Sequence, residues 1–353
     1  MMRAVRHPMN AALAAFFCFS GLVHGAESMS ASDARVARMG RTVDADAGAV
    51  RFAYPGVSFF VRFQGTSLAV DAASTGDRSY LDVIVDGAVR TLHVEPAGRR
   101  LVLADGLPPG AHTVQVLHRS ETWHGTVTLA RFATDGGFVA PPVLPARRLM
   151  FLGDSVTCGE ALERTPPGPK QPAWWNPRVS YGMLAGAALQ AQVHLVCHGG
   201  RGLVRSWNGK TDEFNLGRLY ELAIAEPARP EPWDQRRYAL DLIVSAIGTN
   251  DFNQGIPERE AYVREYVRLV RTLRRDHPQA RIVLTEGAIL NGEKKAALRE
   301  YIDETIRRVA DARVYHVVSQ HYPGDAADAH PTREQHARMA EDLVPQLREV
   351  MGW

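Results

Sequence analysis

A serine, a histidine and two polar turns stand where the chain can do acyl-transfer chemistry, each just beyond an apolar run. Leu149 to Leu152 reads as a strand and leads directly into Gly153-Asp154-Ser155, which delivers a hydroxyl at the strand's carboxyl end. A glycine there allows a sharp turn, and a following helix would aim its first N–H groups at developing negative charge. On its own Gly-Asp-Ser is a weak signal, because short polar turns after strands are common. The other strand ends strengthen it. After Val193 to Val196 comes His198-Gly199-Gly200-Arg201-Gly202, which can bring the Gly200 N–H to an oxyanion. After Leu242 to Ile247 comes Gly248-Thr249-Asn250-Asp251, which offers the Asn250 amide. The last expected strand, Val314 to Val318, precedes Asp328-Ala329-His330-Pro331, so His330 can act as base. Nucleophile, oxyanion donors and base are the set that acyl transfer needs. Each residue also has a plainer reading, since Asn250 and Asp251 can cap a turn, Gly200 can serve backbone geometry, and His330 can simply precede a helix.

The elements that hold these residues change period near residue 140. From Val50 to about Phe132 short segments of period two, such as Leu81, Val83 and Val85, are broken by Pro55-Gly56, Asp86-Gly87 and Pro109-Gly110. This predicts an all-β sandwich over residues 27–140. Gly136-Gly137 and the prolines at 141, 142 and 145 suggest a linker over 141–147. Beyond it, residues 148–353 alternate strands with helical patterns: Tyr262, Tyr266, Leu269, Val270 and Leu273 share one face, as do Leu298, Ile302, Ile306 and Val309. A final helix begins at Thr332 with Gln335 in capping-box position. The expected fold class is α/β, a mainly parallel sheet flanked by helices with its site at the carboxyl ends of the strands.

Gly153-Asp154-Ser155, Gly200, Gly248-Thr249-Asn250-Asp251 and Asp328-Ala329-His330-Pro331 resemble, in order and spacing, the Ser, Gly, Asn and His blocks of SGNH (GDSL-type) hydrolases. Gly153 to Gly159, Ser180-Tyr181-Gly182 and Gly200-Arg201-Gly202 are similar to the two-domain acetyl esterases of carbohydrate esterase family 2. Tyr54-Pro55-Gly56, Phe63-Gln64-Gly65-Thr66, Val85-Asp86-Gly87 and Gly110-Ala111-His112-Thr113 are similar to that family's leading domain, which is a jelly-roll-like β-sandwich. The resemblance implies Ser155 as nucleophile, His330 as general acid and base, and the Ser155 N–H, Gly200 N–H and Asn250 side chain as oxyanion hole. It implies no cofactor and no metal, and a substrate of acetylated polysaccharide or oligosaccharide such as xylan or glucomannan. The superfamily's usual acid stands three residues before the histidine, where this chain has Ala327. Asp328, two before, matches a family 2 spacing in which some members orient the histidine by a backbone carbonyl instead, so a triad and a dyad are both open. A lipase or thioesterase, and a glycan-binding protein without activity, are the alternative functions.

Composition narrows the field further. A net charge of +2 on 353 residues lacks the clustered basic groups that nucleic acid requires. Arg3, Arg6 and His7 precede an apolar run from about Ala11 to Val23, then Gly25 and Ala26. This reads as a signal peptide over residues 1–26, hence a secreted or periplasmic protein. As a membrane anchor the run falls short of the ~20 residues needed to span a bilayer. Cys158 and Cys197 remain after cleavage, and whether they pair is open. Trp174-Trp175 and Trp207 can form a sugar-stacking wall or pack between domains. No Gly-x-Ser-x-Gly elbow or His-Glu-x-x-His motif occurs.

Overall fold

The computed structural model describes residues 25–165 and 168–353. The expected signal segment falls almost entirely outside them. Among the described residues no helix is long and apolar enough to cross a membrane.

The leading half is two antiparallel six-stranded sheets packed face to face. Strand Leu68–Ser74 shows why: its residues alternate buried and half-buried along the whole length, so one face is apolar and must be covered. Phe52, Phe59, Val61, Phe63, Leu81, Val83, Val114, Val116 and Phe132 fill the space between the sheets, all fully buried. Asp86 and Gly87 both take positive φ and join strands Ser79–Val85 and Ala88–Val94, the tight hairpin that Asp-Gly favours.

The second half is a five-stranded sheet, parallel throughout. Its strands lie in the order Ala191–Cys197, Arg147–Gly153, Leu242–Ala246, Arg281–Thr285, Val314–His316. The chain therefore reverses direction across the sheet beside Arg147–Gly153, and such a switch point opens a crevice at the strands' carboxyl ends. The last strand stops at His316, two residues short of the sequence expectation. Helices Arg259–Asp276, Gly292–Val309 and Arg333–Met351 cover the sheet, the first burying Tyr262, Tyr266, Leu269, Val270 and Leu273. The last helix is capped by Thr332 and Gln335 in a reciprocal capping box.

Charged side chains are buried where the halves meet. Arg41 is almost completely enclosed and donates to the carbonyls of Tyr220 and Leu222 at 2.6 and 2.8 Å. Burial pulls its pKa down to about 10. Tyr54 donates to the Leu219 carbonyl at 2.7 Å. Asp82, on the sandwich strand Ser79–Val85, accepts from Arg119 of its own half and Arg178 of the other, both at 2.9 Å. It has no solvent exposure.

Asp82→Ala should leave the buried Arg119 guanidinium with only the Ala173 carbonyl as acceptor and cost about 3–5 kcal/mol, as loss of one partner from a buried pair does. Arg307→Ala, which breaks an exposed pair with Glu304, should cost less than about 0.5 kcal/mol. Guanidinium unfolding midpoints of the two variants check the contrast.

Candidate active site

The helix expected after the first strand is present as a single turn, Ser155–Cys158, opened by Ser155 itself. Asp154 caps it by accepting from the Val156 N–H at 3.1 Å, and Gly159 closes it in a left-handed conformation. The turn is tight enough that a Cβ on Gly153 would lie 2.1 Å from Thr157 Oγ1. Burial raises the pKa of Asp154 to about 6 against the opposing pull of the Val156 N–H.

His330 arrives from a loop built around other contacts. Asp325 accepts from the N–H groups of Ala327 and Asp328 at 2.9 and 3.0 Å. Arg164 ties that loop down, donating to Asp325 and to the His330 carbonyl, each at 3.0 Å. Gln335 holds both polar groups of Gly324 from the last helix. His330 Nε2 thereby lies 2.9 Å from Ser155 Oγ, and Nδ1 lies 2.6 Å from Asp328 Oδ1.

Asp328 has further partners. Its Oδ1 accepts from the His330 N–H at 2.8 Å, and its Oδ2 pairs with Lys170 Nζ at 2.8 Å. Partial burial works against its charged form, but the contacts with His330 and Lys170 prevail and hold the carboxyl well below the usual range. Asp328 is thus an anion at any pH where imidazole is neutral, able to accept the Nδ1–H and leave Nε2 as proton acceptor.

Gly200 takes φ +74°, and a Cβ there would meet Trp207 at 2.7 Å, so both backbone and space demand glycine. Neither the Ser155 N–H nor the Gly200 N–H is used by a protein acceptor among the described residues. Asn250 directs one amide hydrogen to the Arg201 carbonyl at 2.9 Å, leaving the second for a ligand. Asp251 does cap a turn: its carboxylate accepts from the N–H groups of Leu203, Val204 and Arg205 at 2.7–3.2 Å. Burial pushes its pKa up to about 6 against those donors. Ser155, Gly200, Asn250 and His330 line one cleft of about 890 Å³, which the sandwich half walls with Trp123 and Thr75. The set can move a proton off a serine hydroxyl and receive an oxyanion beside it.

A family model described as the carbohydrate esterase 2 N-terminal domain matches residues 38–142. Another, described as the GDSL-like lipase/acylhydrolase family, matches residues 151–343. An acetylxylan esterase / glucomannan deacetylase of Cellvibrio japonicus is 50% identical over 334 residues, 94% of this chain and 93% of that protein. This chain belongs to carbohydrate esterase family 2. The structure of a family two carbohydrate esterase from Cellvibrio japonicus aligns with a TM-score of 0.92 at 49% identity, covering 93% of this chain and 99% of that one. That of a family two carbohydrate esterase from Clostridium thermocellum, in complex with cellohexaose, gives 0.85 at 28%, covering 90% and 99%.

The esterase brings Ser155, His330, Asp328, Gly200 and Asn250 to one end of the sheet, together with residues that sequence reasoning missed. Glu160 follows the Ser155 turn and holds its carboxylate 3.6 Å from His330 Nε2, while Lys170 bridges it to Asp328. Glu121 comes from the sandwich half, and no local pattern around it pointed to the site. The tryptophans divide: Trp175 is buried and donates to Glu121 at 3.0 Å, whereas Trp207 is 55% exposed on the cleft. Cys158 and Cys197 form a disulfide that joins the Ser155 turn to the strand leading to Gly200.

Asp328→Asn should lower kcat for an acetyl ester by at least about 10²-fold, because the amide holds the wrong imidazole tautomer. Steady-state kinetics on the folded variant check this. Turnover near that of the unmodified esterase would mean that His330 is oriented by another group.

Proposed function

We propose that this carbohydrate esterase removes O-acetyl groups from hemicellulose of the xylan or glucomannan kind through an acyl-enzyme on Ser155. The observation that carries the reading is the hydrogen-bonded chain Asp328–His330–Ser155 on a cleft of about 890 Å³ walled by both domains. In this reading His330 Nε2 takes the Ser155 proton as Oγ attacks the acetyl carbonyl. The Ser155 and Gly200 N–H groups and the Asn250 amide receive the negative oxygen. Asp328 stabilises the imidazolium, which then gives the proton to the departing sugar oxygen, freeing it as a hydroxyl. Water, deprotonated by the same histidine, releases acetate and regenerates the hydroxyl.

The substrate class follows from the Cellvibrio japonicus relative, which is named for acetylxylan and glucomannan. Export fits the basic and apolar leader and the Cys158–Cys197 disulfide, a bond that persists in oxidising compartments. We divide the chain into a leader over 1–26, a sandwich over 27–140, a linker over 141–147 and a catalytic domain over 148–353; the sandwich strand Gly137–Val139 ends before that linker, and the first strand of the parallel sheet begins at its last residue, Arg147.

Acetyl esters should be hydrolysed with kcat/KM at least about tenfold above butyryl and octanoyl esters, a difference of about 1.4 kcal/mol in transition-state binding. Acetate should also be released from acetylated xylan or glucomannan. Rates that rise with acyl length, and no acetate from either polymer, would point to a lipid substrate.

A further inference from the structure

We infer that Glu121, supplied by the β-sandwich domain, is a positioning residue for the oxyanion hole: its carboxyl group holds the Gly199 N–H and so fixes the neighbouring Gly200 N–H. The inference rests on the proposed oxyanion role of Gly200.

Two consecutive glycines have the least intrinsic preference of any dipeptide, so the direction of the Gly200 N–H must be imposed from outside. The restraints are on both sides of it. Glu121 Oε1 accepts from the Gly199 N–H at 2.9 Å and fixes the peptide plane before Gly199. His198 Nδ1 lies 2.9 Å from the Gly199 carbonyl, which belongs to the same peptide group as the Gly200 N–H. Burial pulls the His198 pKa down to about 4, so its ring is neutral and, as the Nδ1–H tautomer, donates there. Beyond Gly200, Asp251 clamps Leu203, Val204 and Arg205.

Glu121 is suited to this task by its own anchorage. It is completely buried, and Oε2 accepts from the Trp175 indole at 3.0 Å, so both oxygens are fixed by the catalytic domain. The adjacent Thr122 donates to the Cys197 carbonyl at 2.6 Å. One turn of the sandwich thus grips the catalytic strand end at Cys197 and again at Gly199. A charged group so near a forming oxyanion would oppose it. Burial, reinforced by the Glu160 carboxylate, raises the Glu121 pKa to about 8, so near neutral pH it accepts the Gly199 N–H mostly without a charge.

The test compares Glu121→Ala, Glu121→Gln and Asn250→Ala in the full chain, with an acetyl ester near pH 7. Glutamine keeps an acceptor for the Gly199 N–H although it loses the one for Trp175. The expected result is a fall in kcat of at least about tenfold for Glu121→Ala with KM within about threefold, and recovery to within about fivefold of the unmodified enzyme for Glu121→Gln. Asn250→Ala, which removes a donor directly, should lose about 10²-fold or more in kcat. If Asn250→Ala is impaired while Glu121→Ala turns over normally, or if both Glu121 variants lose activity equally, the role of Glu121 is overturned. If Asn250→Ala keeps full kcat, the oxyanion hole itself is misassigned. Should Glu121→Ala fail to fold, Glu121→Gln decides, and a loss greater than about tenfold in that variant overturns the inference.

Discussion

At neutral pH a serine hydroxyl keeps its proton, and it attacks an ester only if a base waits within hydrogen-bonding distance. The proposed base, His330, is 175 residues from Ser155 in sequence and 2.9 Å away in space. Ser155 is held by a turn too tight for any residue but glycine at 153. His330 is held by Asp325, Arg164, Gln335 and Asp328, none of which hydrogen-bonds to Ser155. Both loops leave the same end of one parallel sheet, the arrangement that doubly wound sheets use to converge side chains from distant segments.

The sandwich domain contributes more than bulk. Its contacts with the catalytic domain use buried charge, at Arg41 and at Asp82, where partners must match in direction as well as in position. Such groups contribute little net stability compared with apolar packing, but a misdocked arrangement would leave them unpaired at a cost of several kcal/mol. The interface therefore has one favourable alignment. In that alignment the turn carrying Glu121, Thr122 and Trp123 meets the strand end that leads to Gly200, and the cleft acquires a wall from each domain.

Residues that act through local chain geometry were legible in the sequence. The apolar run before Gly153-Asp154-Ser155, the alternation in the leading half and the capping box at Thr332 all report on neighbours within a few positions, where periodicity and turn chemistry carry information. The α/β class and the leading sandwich followed from them. Glu121, Glu160, Lys170 and Arg164 were not legible, since each acquires its meaning from a contact across the fold. Trp174, Trp175 and Trp207 show the same limit: composition marked them as a group, but burial separates Trp175, bonded to Glu121, from the open face of Trp207. The helix expected after Ser155 is a single turn, ended by Gly159 in the left-handed region, and its shortness depends on that one residue rather than on any periodic pattern.

The central claim is that Ser155 is the activated nucleophile of this esterase. Treatment with a fluorophosphonate, followed by peptide mass spectrometry, tests it without dependence on the natural substrate. The account predicts one adduct per chain, on the peptide containing Ser155, forming in step with loss of esterase activity and slowed by at least about 10²-fold in a His330→Ala variant. Complete loss of activity with the label on another residue, or retention of activity after Ser155 is labelled, would contradict it.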